Sequence, residues 1–256
     1  MKLKWDEFSK KIFETGIDHV ALYVINENVP VGSTSGSDIY APGVPWNGVS
    51  GITENSEGGD INKQYADNMP YVVLSSNEDF GITIEAFSSP EEFKKCDGKF
   101  STVSSLGLYL DQQRRRLFAI AYRTKLGNDV EGEDFAYKLH IVYNCKAQPS
   151  ETPNETLNDS PEGMTKTWEC TTMPVVHNIP DTKPTAHIEL DSSKVDFGVM
   201  SDIENALYGT EGIAPHMLMP DEIYEMFSFI DEYLYFVTRL GEPFMTADNK
   251  FFKVVS

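Results

Sequence analysis

The spacing of histidine, cysteine and carboxylate side chains bounds what chemistry this chain could do. Its five histidines are His19, His140, His177, His187 and His216, and none lies within four residues of another. No HExxH zinc helix, DxDxDG calcium loop or glycine-rich phosphate loop occurs. The three cysteines, Cys96, Cys145 and Cys170, are an odd, widely spaced set without a CxxC pair. They indicate neither a disulfide framework nor a zinc site. Cys145 and Cys170 fall in strand-like runs and read as small buried hydrophobes. His140 falls on the polar side of such a run and reads as a surface or interface imidazole. Glu91-Glu92 is explained by helix capping. Asn128–Asp134 has its glycine misplaced for a calcium loop and reads as an acidic hairpin turn. Spacing assembles no acid–base pair, so no catalytic residue, metal or cofactor is expected.

The elements that would position any site are mostly strands. Phe80, Ile82, Ile84 and Ala86 alternate with Gly81, Thr83 and Glu85, which is period two. The longest alternation puts Phe135, Tyr137, Leu139, Ile141, Tyr143 and Cys145 on one face, opposite Lys138, His140 and Asn144. Shorter candidate strands are Val20–Ile25, Tyr71–Leu74, Leu117–Tyr122, Lys166–Thr171 and Thr185–Leu190. Three helices carry start signals. Ser89-Pro90-Glu91-Glu92 and Ser201-Asp202-Ile203-Glu204 are capping boxes, and Pro220-Asp221-Glu222 opens a run with Ile223, Phe227, Ile230 and Leu234 at helical spacing. These helices are expected to cover one sheet face or to extend from the β core. Long polar stretches at about 26–69 and 148–163 read as loops, long enough to bind something or to be disordered. The fold class expected is mainly β, an antiparallel β-sandwich or barrel with a few flanking short α-helices. A single domain spans 1–256, with a helical C-terminal segment at 200–256.

Composition narrows the partners. The 256 residues carry 40 Asp and Glu against 21 Lys and Arg, a formal charge of −19, with 40% hydrophobic residues. That much apolar side chain can build a core, and the acidic excess argues against holding duplex DNA, which needs Lys and Arg on phosphates. No run of about 18 apolar residues exists for a membrane helix, and the N-terminus lacks a signal-peptide pattern, so a product of reducing cytoplasm is expected. Two Asn-x-Ser/Thr strings, at Asn154 and Asn158, then read as chance matches. Charge is unevenly placed: Arg114, Arg115 and Arg116, with Arg123 and Lys125, form a basic patch. Residues 189–232 hold eleven acids and one lysine, Lys194. Such patches suit contact between copies of the chain, with Arg114–Arg116 meeting a neighbour's acids.

Several strings together resemble a known family. Trp46-Asn47-Gly48-Val49-Ser50-Gly51-Ile52-Thr53-Glu54-Asn55 followed by Gly58-Gly59-Asp60, and Tyr65-Ala66-Asp67-Asn68, are similar to major tail tube proteins of long-tailed bacteriophages, the phi13-type family. So are Tyr122-Arg123-Thr124 with Gly127-Asn128-Asp129, Leu139–Cys145, Asn158-Asp159-Ser160-Pro161 and Trp168-Glu169-Cys170-Thr171-Thr172. The match covers roughly residues 15–210. The resemblance implies a virion protein that forms hexameric rings stacked into a tube, through which double-stranded DNA passes without being held. Expected partners are further copies of itself and tape-measure, tail terminator and baseplate proteins, with no membrane. It also implies a long loop reaching the next ring. Asn47–Met69 is the matching stretch, with Asn47, Gly51, Glu54, Glu57, Asp60, Tyr65 and Asp67 as contact residues. That stretch is polar and glycine-rich, and is expected to order only on stacking. The alternative is a non-enzymatic β-sandwich binding module of a virion spike or baseplate.

Overall fold

A computed structural model describes residues 3–5, 7–76, 78–101, 107–151, 154, 156 and 163–231. Asn158–Pro161, most of the stretch 152–162 and everything after 231, Leu234 included, lie outside the described residues. The strands are β1 (Phe13–Val24), β2 (Val44–Pro45), β3 (Val49–Gly58), β4 (Ile61–Ala66), β5 (Met69–Ser75), β6 (Glu78–Ala86), β7 (Phe118–Asn128), β8 (Gly132–Ala147), β9 (Lys166–Thr171) and β10 (His187–Asp191). The helices are α1 (Gly36–Ile39), α2 (Phe197–Tyr208) and α3 (Pro220–Asp231), and a 3₁₀ turn spans Glu91–Lys95. The strands run in the order β2-β1-β7-β8-β9-β6-β3, every neighbour antiparallel, with β10 also pairing β8. β4 and β5 form a separate two-stranded ribbon. The fold is mainly antiparallel β, as the alternation predicts, and the sheet does not close into a barrel.

β8 is the hinge of this arrangement. Only its last residues, Lys146 and Ala147, reach β9, so the sheet folds over there into two layers. Between them lie Val20, Leu22, Ile120, Val142, Ile82, Ile84 and Trp168, all buried. Trp46, Phe93, Phe118 and Trp168 pack ring to ring in this interior, with centroids 4.4–5.6 Å apart. Such edge-on or tilted contacts add about 0.5–1.5 kcal/mol each to the gain from burial. The opposite face of β1, β7 and β8 carries Ala21, Tyr23, Ala119, Ala121, Leu139 and Ile141 and is covered by α2 and the start of α3. The small alanines let the helices lie close. Two buried tyrosines fasten that layer: the Tyr23 hydroxyl donates to the Leu207 carbonyl at 2.6 Å and Tyr143 to that of Leu218 at 2.9 Å. β1, β7 and β8 are thus buried on both faces over residues 20–23, 118–122 and 139–143, where their sequences are nearly continuous in apolar residues.

Four expectations need correction. Cys145 does not share a face with Leu139, Ile141 and Tyr143. Asn144 takes a positive φ of 48°, the ladder shifts register there, and Cys145 turns to the inter-sheet core beside Val142. His140 is only 3% exposed, because the second sheet layer covers the face that looked polar. α2 starts at Asp196 rather than Ser201, since the Asp196 carboxylate accepts from the Gly198 and Val199 N–H groups. Ser89 caps nothing: Pro90 precedes a 3₁₀ turn with no side-chain cap, closed near Gly98 at φ 77°. The start of α3 at Pro220 is where the sequence predicts it.

Candidate functional site

Asn47–Met69 is not a loop. It forms β3, the β3–β4 turn at Gly58-Gly59 and β4, and Asp67-Asn68 closes a hairpin into β5 with both φ values positive, 52° and 62°. That is the left-handed geometry of a primed two-residue turn. The stretch looked unstructured because strands wet on both sides need no alternation. Every residue of β4 and β5 is exposed, and Ile61, Tyr65, Met69, Tyr71, Val73 and Leu74 are more than half accessible. Among the described residues nothing covers either face of the ribbon, and a lone two-stranded ribbon is marginal in water. β3 is the last strand of its layer, so one of its edges has no backbone partner among the described residues.

The structure spreads the seven residues expected to meet a neighbouring ring along this feature. Asn47 lies before β3 and its carbonyl accepts from the Ser88 hydroxyl at 3.1 Å. Gly51 and Glu57 lie within β3, opposite Glu85 and Asp79 of β6. Asp60 sits at the foot of the ribbon, its N–H donating to the Ser76 hydroxyl at 2.9 Å. Tyr65 and Asp67 are near the tip. Glu54 is the exception: its side chain turns back onto the main sheet.

The basic patch is largely spent inside the molecule. Arg115 reaches the Asp97 carboxylate at 3.2 Å and the Gln148 carbonyl at 3.1 Å, and Arg116 pairs with Glu27 at 2.5 Å. Arg123 binds Asp18 at 2.9 Å and Glu204 at 3.0 Å. Of Arg114–Arg116, Arg114 alone makes no ion pair among the described residues.

A polar cluster not foreseen from spacing sits where Glu54 meets the sheet. Tyr122 on β7 lies opposite His140 on β8, and His187 on β10 is diagonal to it, opposite Val142. The rings of Tyr122, His140, His187 and Phe80 run in series, nearly parallel, with centroids 4.7, 5.4 and 4.9 Å apart. Glu54 Oε1 accepts from the Tyr122 hydroxyl at 2.7 Å and lies 3.2 Å from His140 Nδ1. His140 Nδ1 is also 3.2 Å from His187 Nε2, and its Nε2 is 3.0 Å from Thr124 Oγ1. Hydrogen bonding with His140, then with Tyr122, outweighs burial and holds the Glu54 carboxyl at about 2. Burial pushes His187 below its ordinary value, against the pull of Glu54. One ligand atom each from Glu54, His140 and His187 lies within 4.8 Å of the others. The three residues come from distant strands, so motif spacing could not reveal them. The sole hint was that both histidines fall in expected strands.

Cys96, Cys145 and Cys170 are free thiols and buried, as their strand-like surroundings suggest for the last two. Burial pushes Cys96 and Cys170 up to about 12, the opposite of an activated nucleophile. Among the described residues no helix is long and apolar enough to cross a membrane.

No protein-family model and no curated protein matches the chain. Two solved structures show a partial likeness. One is a chain of the anti-feeding prophage baseplate, 8% identical, with a TM-score of 0.36 over 75% of this chain and 100% of that one. The other belongs to the sheath–tube complex of an extracellular contractile injection system in its extended state. It is 14% identical, with a TM-score of 0.26 over 64% of this chain and 93% of that one. Overlaps of this extent leave the function to be read from the chain's own residues.

Proposed function

We propose that this chain is a structural virion subunit that polymerises with copies of itself into a phage tail tube, a conduit for DNA. The observation that carries the reading is the β4–β5 ribbon: a fully exposed strand pair with apolar side chains on both faces. A free ribbon and a free β3 edge are an aggregation hazard unless another chain completes them. In a ring-and-stack assembly a neighbouring copy does so, and Tyr65, Tyr71 and Val73 become buried. Each such burial is worth roughly 1.5–3 kcal/mol before the entropy of association is subtracted. Asp60, Glu57 and Asn47 then lie at the root of the contact, and Arg114 remains for a neighbour's acids.

The formal charge of −19 fits the same role. A conduit for DNA must not hold phosphates, and acidic side chains facing the bore repel them over a screening length of about 8 Å at 0.15 M salt. Hexameric stacking, and tape-measure, terminator and baseplate partners, follow from the family resemblance.

Sedimentation velocity on the purified chain tests the assembly. Tyr71→Lys combined with Val73→Lys changes only exposed side chains, so a folded subunit is expected. The parent should form fast-sedimenting assemblies and the double variant should remain a slow single species. A double variant that assembles like the parent would refute the role of the ribbon. A parent that stays a monomer or trimer at high concentration would favour a binding module of a spike or baseplate.

A further inference from the structure

We propose that Glu54, His140 and His187 form a binding site for a divalent transition metal of the zinc class, which staples β3 to β8 and β10. Proton bookkeeping leads there. Thr124 has one hydroxyl proton, and its Oγ1 lies 2.6 Å from Glu14 Oε1, a carboxylate oxygen that can only accept. Thr124 therefore donates to Glu14 and receives from His140 Nε2–H. His140 Nδ1 then offers its lone pair to one positive centre, either the proton that bonds it to Glu54 or a metal ion in that proton's place. That lone pair faces Glu54 Oε1 and His187 Nε2, each 3.2 Å away. A ring lone pair beside a carboxylate oxygen is repulsive unless a positive centre lies between them. A proton on Nδ1 meets that need for one contact at a time. A metal ion meets it for all three groups together.

The distances suit an ion. With bonds of about 2.0–2.1 Å to a tetrahedral zinc, ligand atoms stand about 3.3 Å apart; the two separations from His140 are 3.2 Å, and the third, between Glu54 and His187, is wider but within 4.8 Å. The surrounding groups already do what outer partners of a metal site do. The chain from His140 through Thr124 to Glu14 fixes which ring nitrogen is free, and the Tyr122 hydroxyl fixes the Glu54 carboxylate. Two imidazoles and one carboxylate favour Zn²⁺ or Co²⁺ over the oxygen-seeking Mg²⁺ and Ca²⁺. The Glu54 side chain is 36% exposed and His187 17%, so an ion can enter from solvent without the sheet opening. Occupancy would lock the two sheet layers together at the middle of β3, whose far end leads into the β4–β5 ribbon. The site stands independently of the assembly reading.

The test uses the untagged full chain, stripped with a chelator and titrated with Co²⁺ near neutral pH. Saturation at one equivalent is expected, with the visible bands of four- or five-coordinate cobalt, displaced by Zn²⁺ and not by Mg²⁺. Zn²⁺ at a hundredfold excess over Kd should raise Tm by roughly 5–10 °C. His187→Gln and Glu54→Gln, at accessible positions, should abolish the bands while the metal-free chain keeps its β-sheet circular dichroism. Thr124→Val should weaken Co²⁺ binding about 10–100-fold, as loss of an outer partner does. Absence of a saturable band, or wild-type affinity in His187→Gln, would overturn the site and leave a proton-held cluster.

Discussion

Arg123 on β7 ties three elements together through one side chain. It reaches Asp18 of β1 and Glu204 of α2, and its guanidinium lies 4.7 Å from the Tyr137 ring centroid. Burial alone would push the Asp18 carboxyl up, but hydrogen bonds from Arg123 and His19 prevail and hold it below its ordinary 3.8. A depressed carboxyl contributes stability above its unfolded value, and that contribution is lost as pH falls through the lower folded value. We therefore expect Arg123→Met to cost about 1–3 kcal/mol near pH 7 by taking the guanidinium away from the partly buried Asp18 and Glu204 carboxylates, with Asp18 left to His19. The cost should shrink as pH falls below about 4, where the parent begins to lose the same pairing; urea titrations from neutral pH down through that range would measure it. A cost independent of pH would mean that packing, not charge, is lost. At this scale the sequence told side-chain type but not company. The buried cysteines were legible from apolar flanks, whereas His140 was read as exposed because nothing local announces a second sheet above it.

Elements were legible where one face is dry and the other wet, or where caps punctuate them. β6 and β9 showed alternation, and α3 began at its proline. The face reversal at Cys145 was hidden, because one Asn at positive φ shifts the strand without disturbing the pattern of residue types. Of the ribbon, β5 was legible at Tyr71–Leu74, while β4 was hidden for the opposite reason: it has no dry side to impose a pattern. α2 starts from the Asp196 cap and not from the capping box at Ser201. The Asp196 carboxylate accepts at 2.9 Å from Gly198 N–H, whereas Ser201 lies inside the helix. We expect Asp196→Ala to cost about 1 kcal/mol and Ser201→Ala no more than about 0.5 kcal/mol in denaturant unfolding. Equal costs would show that the capping box at Ser201 governs the helix after all.

At the scale of the molecule, the helical layer and the folded-over sheet bury their apolar surface well, while the β4–β5 ribbon stays fully exposed. That contrast is the basis of the proposal that the chain completes its fold on a neighbouring copy. The acidic excess and the family resemblance both came from sequence; the exposed ribbon on which the proposed assembly rests took its full form only from the fold. Electron cryo-microscopy of the concentrated protein tests the claim most directly. The expected result is a hollow tube of stacked rings in which β4 and β5 are buried against neighbouring subunits and the bore carries net acidic side chains. Discrete particles with an exposed ribbon, or a tube with a net basic bore, would contradict it.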